Sequence, residues 1–163
     1  MSNIKKYIDK GLLVLTGILI AVMSVLSIWQ VIARYILNTP STVSEEVIRM
    51  LLIWFALTSA AYVFGQQKHI AIVFIKEKLS PKAQLALHRL SNVILLLVAV
   101  VLMIWGGIQV INLTLTQAAP STGISMAWMY GALPISGLFI IFYAIYNLAV
   151  GEMTSAEEGS EQL

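Results

Sequence analysis

The sequence predicts an all-α integral membrane protein with four transmembrane helices, both termini cytoplasmic, and an interfacial segment between helices 2 and 3. Three observations carry this. Hydrophobic residues make up 59% of the chain, charged residues only 11%, and mean hydropathy is +0.87, whereas a soluble domain carries about 25% charged residues. Uncharged stretches at 11–33 and 50–67 are about 35 and 27 Å long as helices, close to the thickness of a bilayer's hydrocarbon core. The stretch between Arg89 and Glu152 holds no charge at all and, at about 93 Å, must contain two spans.

The placement of charge sets the orientation. Outside Arg34 and Arg49, the cations are Lys5, Lys6 and Lys10 before the first span, and Lys68, Lys76, Lys78, Lys82 and Arg89 between the second and third. By the positive-inside rule both segments are cytoplasmic, and the connections at 38–44 and 117–124, which lack Lys and Arg, face outward.

One domain accounts for the length. Spans at about 12–37, 46–67, 90–116 and 125–150 fill residues 1–151, and 152–163 form an acidic tail expected to be disordered. No soluble catalytic domain fits beside them. The chain has no cysteine, so it offers no disulfide framework, thiolate metal site or thiol nucleophile. It shows no glycine-rich phosphate loop, no Ser/His/Asp arrangement and no basic surface suited to nucleic acid. Neither an enzyme nor a cofactor protein is expected. The Lys-rich start resembles a signal peptide, but the run 11–33 exceeds an h-region and no small-x-small cleavage site follows, so it reads as a retained anchor.

On the first helix Ser27, Gln30, Arg34 and Asn38 recur at spacings of three and four, with Ser24 and Gly17 extending the stripe. Such spacing puts them on one face, and a charge facing lipid costs about 2.5–3.5 kcal/mol, so this face is expected to point at protein. A packing face is preferred to a substrate pathway. Pro40 then forces a reversal, and Thr42 or Ser44 caps the second helix, Thr42 with Glu45 fitting a capping box.

Arg34, Glu45, Glu46 and Arg49 crowd around this hairpin. Two acids suit the amino end of one helix and Arg34 the carboxyl end of the other. We read the four as a structural ion-pair cluster that locks helices 1 and 2 together. The competing reading, a cation or proton site built on the acid pair, is disfavoured because two arginines neutralise two glutamates and a coupling site belongs near the midplane.

The second helix carries Thr58, Tyr62 and Gln66 at spacings of four among small residues, another packing face; Trp54 either faces lipid or fills a groove in a partner. The apolar run 70–75 is too short to cross, and Lys68, Lys76, Lys78 and Lys82 place it among lipid headgroups. Ser80-Pro81 starts the third helix, Ser as cap and Pro at the first position. Pro120 and Gly123 end it and turn the chain. Its polar stripe is Trp105, Gln109, Asn112 and Thr116; the fourth helix carries Tyr143 and Asn147. Pro134, between Gly131 and Gly137, is expected to kink the fourth helix.

Taken in order over nearly the whole chain, Arg34-Tyr35, Ser44-Glu45-Glu46 with Arg49, Trp54, the stretch from Gly65 to His69-Ile70, and Ser121-x-Gly123-Ile124-Ser125-Met126-Ala127-Trp128 with Leu133-Pro134 resemble the small membrane subunit of tripartite ATP-independent periplasmic (TRAP) transporters, the DctQ-type family. The chain departs from the family's common pattern at Val43, Ser59 and Val73. The resemblance implies a multi-pass protein of the bacterial inner membrane that binds and supports a large elevator-type subunit as a heterodimer. It further implies a periplasmic binding protein that delivers an organic acid, of the sialic acid or C4-dicarboxylate class, and a sodium gradient coupled in the large subunit. The small subunit itself would hold no substrate or metal site.

Two other classes stand beside this reading. His69 and His88 both fall on the cytoplasmic side, where a membrane haem or quinone redox subunit would need them as ligands. A self-sufficient small carrier or channel would form homo-oligomers active without a partner, but four spans with no charged midplane residue make a poor coupled carrier alone.

Overall fold

The computed structural model describes residues 2–66 and 81–160. The expected interfacial segment, with Lys68, His69, Lys76 and Lys78, lies outside them. Four helical stretches are long and apolar enough to cross a membrane, namely Ile4–Tyr35, Thr42–Gly65, Arg89–Thr114 and Ala127–Ala149, and no strand is present among the described residues. The all-α, four-span class follows from composition as expected.

Helix α1 (Ser2–Tyr35) is a Leu/Ile/Val run without proline. It ends where Asn38 turns left-handed at φ 52°, a conformation Asn tolerates better than most residues. The Thr39 N–H reaches back 3.0 Å to the Ala33 carbonyl, closing a Schellman-type cap. Helix α2 (Thr42–Gly65) begins one residue earlier than the capping box foresaw. Ser41, held extended after Pro40 at φ −92°, ψ 97°, is the cap and accepts from the Ser44 N–H at 3.3 Å, as an N-cap side chain does.

The third span is built from α3 (Pro81–Val98), a π-helical segment (Ala99–Gly106) and α4 (Gly107–Thr114). The fourth is the short α5 (Ala127–Tyr130) followed by α6 (Ala132–Ser160). Helical backbone in α6 thus runs on through 152–160, most of the stretch expected as an acidic tail.

The helices pack side by side in the order α1, α2, α6, then the third span. In that layer the fourth span is central, with 39% of its residues buried against 11% in each of the others. Ala132, Ser136, Ile140, Tyr143, Ala144 and Asn147 form its buried stripe, spaced at three and four as one helix face requires. Ala61, Ala99 and Ile140 meet at the centre, ringed by Phe64, Leu95, Met103 and Phe139.

Small residues set how closely these helices approach. A Cβ on Gly137 would stand 2.9 Å from Met103 Cβ of the π segment, and one on Gly65 would stand 2.5 Å from the Tyr143 ring. Gly65→Leu is therefore expected to force α2 and α6 apart and to lower stability by about 1–3 kcal/mol, the range for an overpacked core site. Thermal unfolding in detergent measures it; a midpoint like the wild type's would contradict the contact.

Candidate functional site

The functional side chains sit at the two ends of the layer, one end carrying the connections 36–41 and 115–126, the other the chain's N-terminus. At the loop end Glu46 is 9% exposed, and its Oε2 accepts the backbone N–H of Ser121 at 2.8 Å and of Thr122 at 2.9 Å. Those donors belong to a tight hairpin at 117–126. Its rungs run from the Ala119 N–H to the Ile124 carbonyl and from the Met126 N–H to the Gln117 carbonyl, each 2.8 Å. Gly123, at φ 71°, supplies the left-handed residue such a turn favours. Successive N–H groups at a turn of this kind make an anion-binding concavity, and here the chain's own carboxylate fills it.

The four-charge lock does not form. Arg49 pairs with Glu45 at 3.5 Å along α2, with the two side chains 67% and 51% exposed. Arg34 is exposed and makes no ion pair among the described residues. Neighbouring glutamates on a helix point about 100° apart. Glu45 is thereby left on the Arg49 side while Glu46 turns to the hairpin. An exposed i,i+4 pair contributes about 0.3–0.5 kcal/mol, so Arg49→Gln is expected to leave the unfolding midpoint within experimental scatter of the wild type. A shift of several degrees would show that Arg49 does more than pair with Glu45.

At the other end the organising group is Asp9, which the sequence reading passed over. Its Oδ1 accepts from the Tyr143 hydroxyl at 2.5 Å and its Oδ2 from Gln66 Nε2 at 3.1 Å. Lys5 Nζ lies 3.7 Å from the same carboxylate and 5.6 Å from the centre of the Tyr146 ring. Tyr143 is fully buried and reaches α1 by crossing α2 at Gly65, where no side chain stands in its way. One carboxylate thus joins α1, α2 and α6. The signal that was available is Lys5 and Asp9 at i,i+4 spacing, an acid standing inside a lysine-bearing segment.

The remaining expectations resolve individually. Trp54 is half-buried at the edge of an open groove, its Nε1 donating 3.1 Å to the Trp128 carbonyl. Lys82 and His88 fall on α3. Pro134 sits in the first turn of α6, where its missing N–H breaks no helical bond. The interruption lies earlier, at Gly131, just after Tyr130, whose carbonyl would need the donor that Pro134 lacks. Two polar stripes turn outward: Ser24, Ser27 and Arg34 on α1, and Trp105, Gln109, Asn112 and Thr116 on the third span, are exposed, with Gln30 half-buried. Those of the second and fourth helices turn inward, with Thr58, Tyr143 and Asn147 buried.

The carboxylates of Glu46, buried, and Asp9, half-buried, are both engaged in joining elements, and the surface of the described residues is apolar over most of its length, with Val25, Leu113 and Leu138 each more than 60% exposed. Residues 23–151 match the family described as tripartite ATP-independent periplasmic transporters, DctQ component. The whole chain is 31% identical to the sialic acid TRAP transporter small permease protein SiaQ of Vibrio cholerae, covering 97% of it. It is 29% identical to a putative TRAP transporter small permease protein of Haemophilus influenzae, over 91% of each chain. Over 84% of its length it is also 26% identical to 22% of the sialic acid TRAP transporter permease protein SiaT of Haemophilus influenzae. The chain belongs to the DctQ family of TRAP transporter small permease subunits, multi-pass proteins of the bacterial inner membrane.

Proposed function

We propose that this subunit is a static brace: it binds the large elevator-type membrane subunit of a TRAP transporter and holds its fixed part in the bilayer while the carrier moves. The observation that carries this reading is the exposure of two polar stripes, Ser24/Ser27/Arg34 and Gln109/Asn112/Thr116, on helices that lie at the two edges of an open layer. Exposed amides, hydroxyls and a guanidinium gain little from acyl chains and much from another protein. The likeness to a segment of the SiaT permease, in which such a sequence occupies 22% of a longer chain, supports a partner of that kind.

Transport chemistry belongs to that partner. The spans bring no charged side chain to the midplane, and the carboxylates at the two ends already serve backbone and side-chain donors. Sodium coupling and the substrate site are therefore assigned to the large subunit, with no cofactor, metal or enzymatic activity in this chain. Both termini lie in the cytoplasm, and the hairpin at 117–126 faces the periplasm, where a soluble binding protein delivers the substrate. Sialic acid, named for SiaQ and SiaT, is the organic acid we assign, ahead of a C4-dicarboxylate.

Co-expression with the large subunit and the binding protein tests this. The expected result is stable co-purification of the two membrane subunits and sodium-dependent sialic acid uptake into vesicles only when all three proteins are present. Uptake by this chain alone, or failure of the two subunits to purify together, overturns the reading.

A further inference from the structure

The layer has two sides, and α1 treats them differently. Towards one flank it presents Val22, Val25 and Trp29, all apolar and exposed, a surface suited to lipid. On the other lie Asp9, half-buried, Thr16, buried, and Ser27 and Arg34, both exposed. Arg34 follows Asp9 by about seven helical turns, returning to within about 20° of the same face. Asp9 identifies the side, because it meets Tyr143 where that ring crosses Gly65 of α2.

The same side carries a groove. Leu51, Thr58 and Gly65 recur every seven residues, so Leu51 and the adjacent Trp54 share the face of α2 on which Tyr143 lies. Together with Ile124, Trp128 and Met129 they line an open cavity of about 430 Å³. Trp128 is 71% exposed at its edge. Arg49 has Glu45 as its counter-charge, but Arg34, at the loop end of the same side, has none among the described residues.

We propose that this side of the layer, bearing Ser27 and Arg34 on α1 and the Leu51–Trp54–Trp128 groove, receives a transmembrane helix of the large permease subunit, and that an acidic side chain of that helix pairs with Arg34. The proposal rests on the partnership set out above and adds the docking face and its charge. An apolar helix fills the groove, Ser27 donates to it across the interface, and the guanidinium, which binds carboxylates through paired N–H groups, fixes its register at the loop end. The opposite flank of α1 is left to lipid.

The absence of cysteine makes the test clean. Single variants Ser27→Cys and Trp128→Cys on the proposed side, and Val22→Cys and Val25→Cys on the other, are labelled with a maleimide photo-crosslinker in membranes containing both subunits. Crosslinks to the large subunit are expected from positions 27 and 128 and not from 22 and 25. Crosslinks from 22 and 25 alone, equal yields from both sides, labels at 27 and 128 captured only by lipid, or no crosslink in a complex that co-purifies each overturn the docking face. Failure to co-purify at all overturns the partnership instead. Arg34→Glu is expected to lower recovery of the complex at least fivefold while Arg34→Lys retains most of it; full recovery with Arg34→Glu removes the acidic partner from the proposal.

Discussion

Replacing Glu46 with alanine is expected to lower the stability of the isolated subunit by about 2–4 kcal/mol, one of the largest single effects in the molecule. Two backbone N–H groups, of Ser121 and Thr122, lose a charged acceptor at 2.8 and 2.9 Å, and a hydrogen bond to a charged group contributes about 1.5–3 kcal/mol. The hairpin at 117–126 keeps its own rungs, so the damage falls on its attachment to α2. Glu46→Gln retains one carbonyl oxygen with the reach of Oε2 and is expected to cost about 1 kcal/mol, the difference between a charged and a neutral acceptor. Thermal unfolding in detergent ranks the three proteins. Hydrogen exchange localises the change, with faster exchange at residues 121 and 122 in the alanine variant. Unchanged exchange there would mean that Glu46 does not hold the hairpin.

The same residue shows how much the sequence discloses. That 44–49 is a charge-bearing helix start is legible from Pro40, the serines and the acid pair. Which donor each acid takes is not, because the competitors are two arginines nearby and two peptide N–H groups 75 and 76 residues away, and spacing along one helix is silent about the last. Fold class was readable because hydropathy reports exclusion from water. Hydropathy does not distinguish lipid from protein, since acyl chains are as apolar as Leu, and so the order of helices in the layer was hidden. For the same reason the polar stripe on α1, expected to point at protein, is left uncovered by the described residues of this chain.

The π segment at Ala99–Gly106 left no mark in the sequence either. Its residues are as apolar as those of a straight span, and it is recognised by what presses on it. Gly137 admits the Met103 side chain, and just past its end Gly107 admits Leu133 and Pro134. Wide helical turns of this kind are rare and occur mostly within α-helices. Pro134, expected to kink its own helix, is housed in the first turn of α6, just after the break at Gly131. The π segment of the helix facing it ends at Gly106, one residue before the Gly107 that meets Leu133 and Pro134.

Asp9 and Tyr143 are expected to behave as a coupled pair. α1 packs on α2 and meets the central helix chiefly through this contact, so the carboxylate is the main link between the edge of the layer and its middle. Tyr143→Phe removes the donor and leaves Asp9 with Gln66 and Lys5; Asp9→Asn keeps the shape but exchanges a charged acceptor for a neutral one. Each is expected to cost about 1–3 kcal/mol, the range for a charge-assisted bond broken on one side. Because Tyr143→Phe removes and Asp9→Asn weakens the same interaction, the double variant should cost less than the two costs added together, by about 0.5 kcal/mol or more. Asp9→Leu should cost more than either conservative change, since Tyr143, Gln66 and Lys5 all lose their acceptor at once. Equilibrium or thermal unfolding of the four proteins of the cycle measures the coupling. Strictly additive costs would show that Tyr143 is buried for its ring alone, with α1 held by its apolar contact with α2.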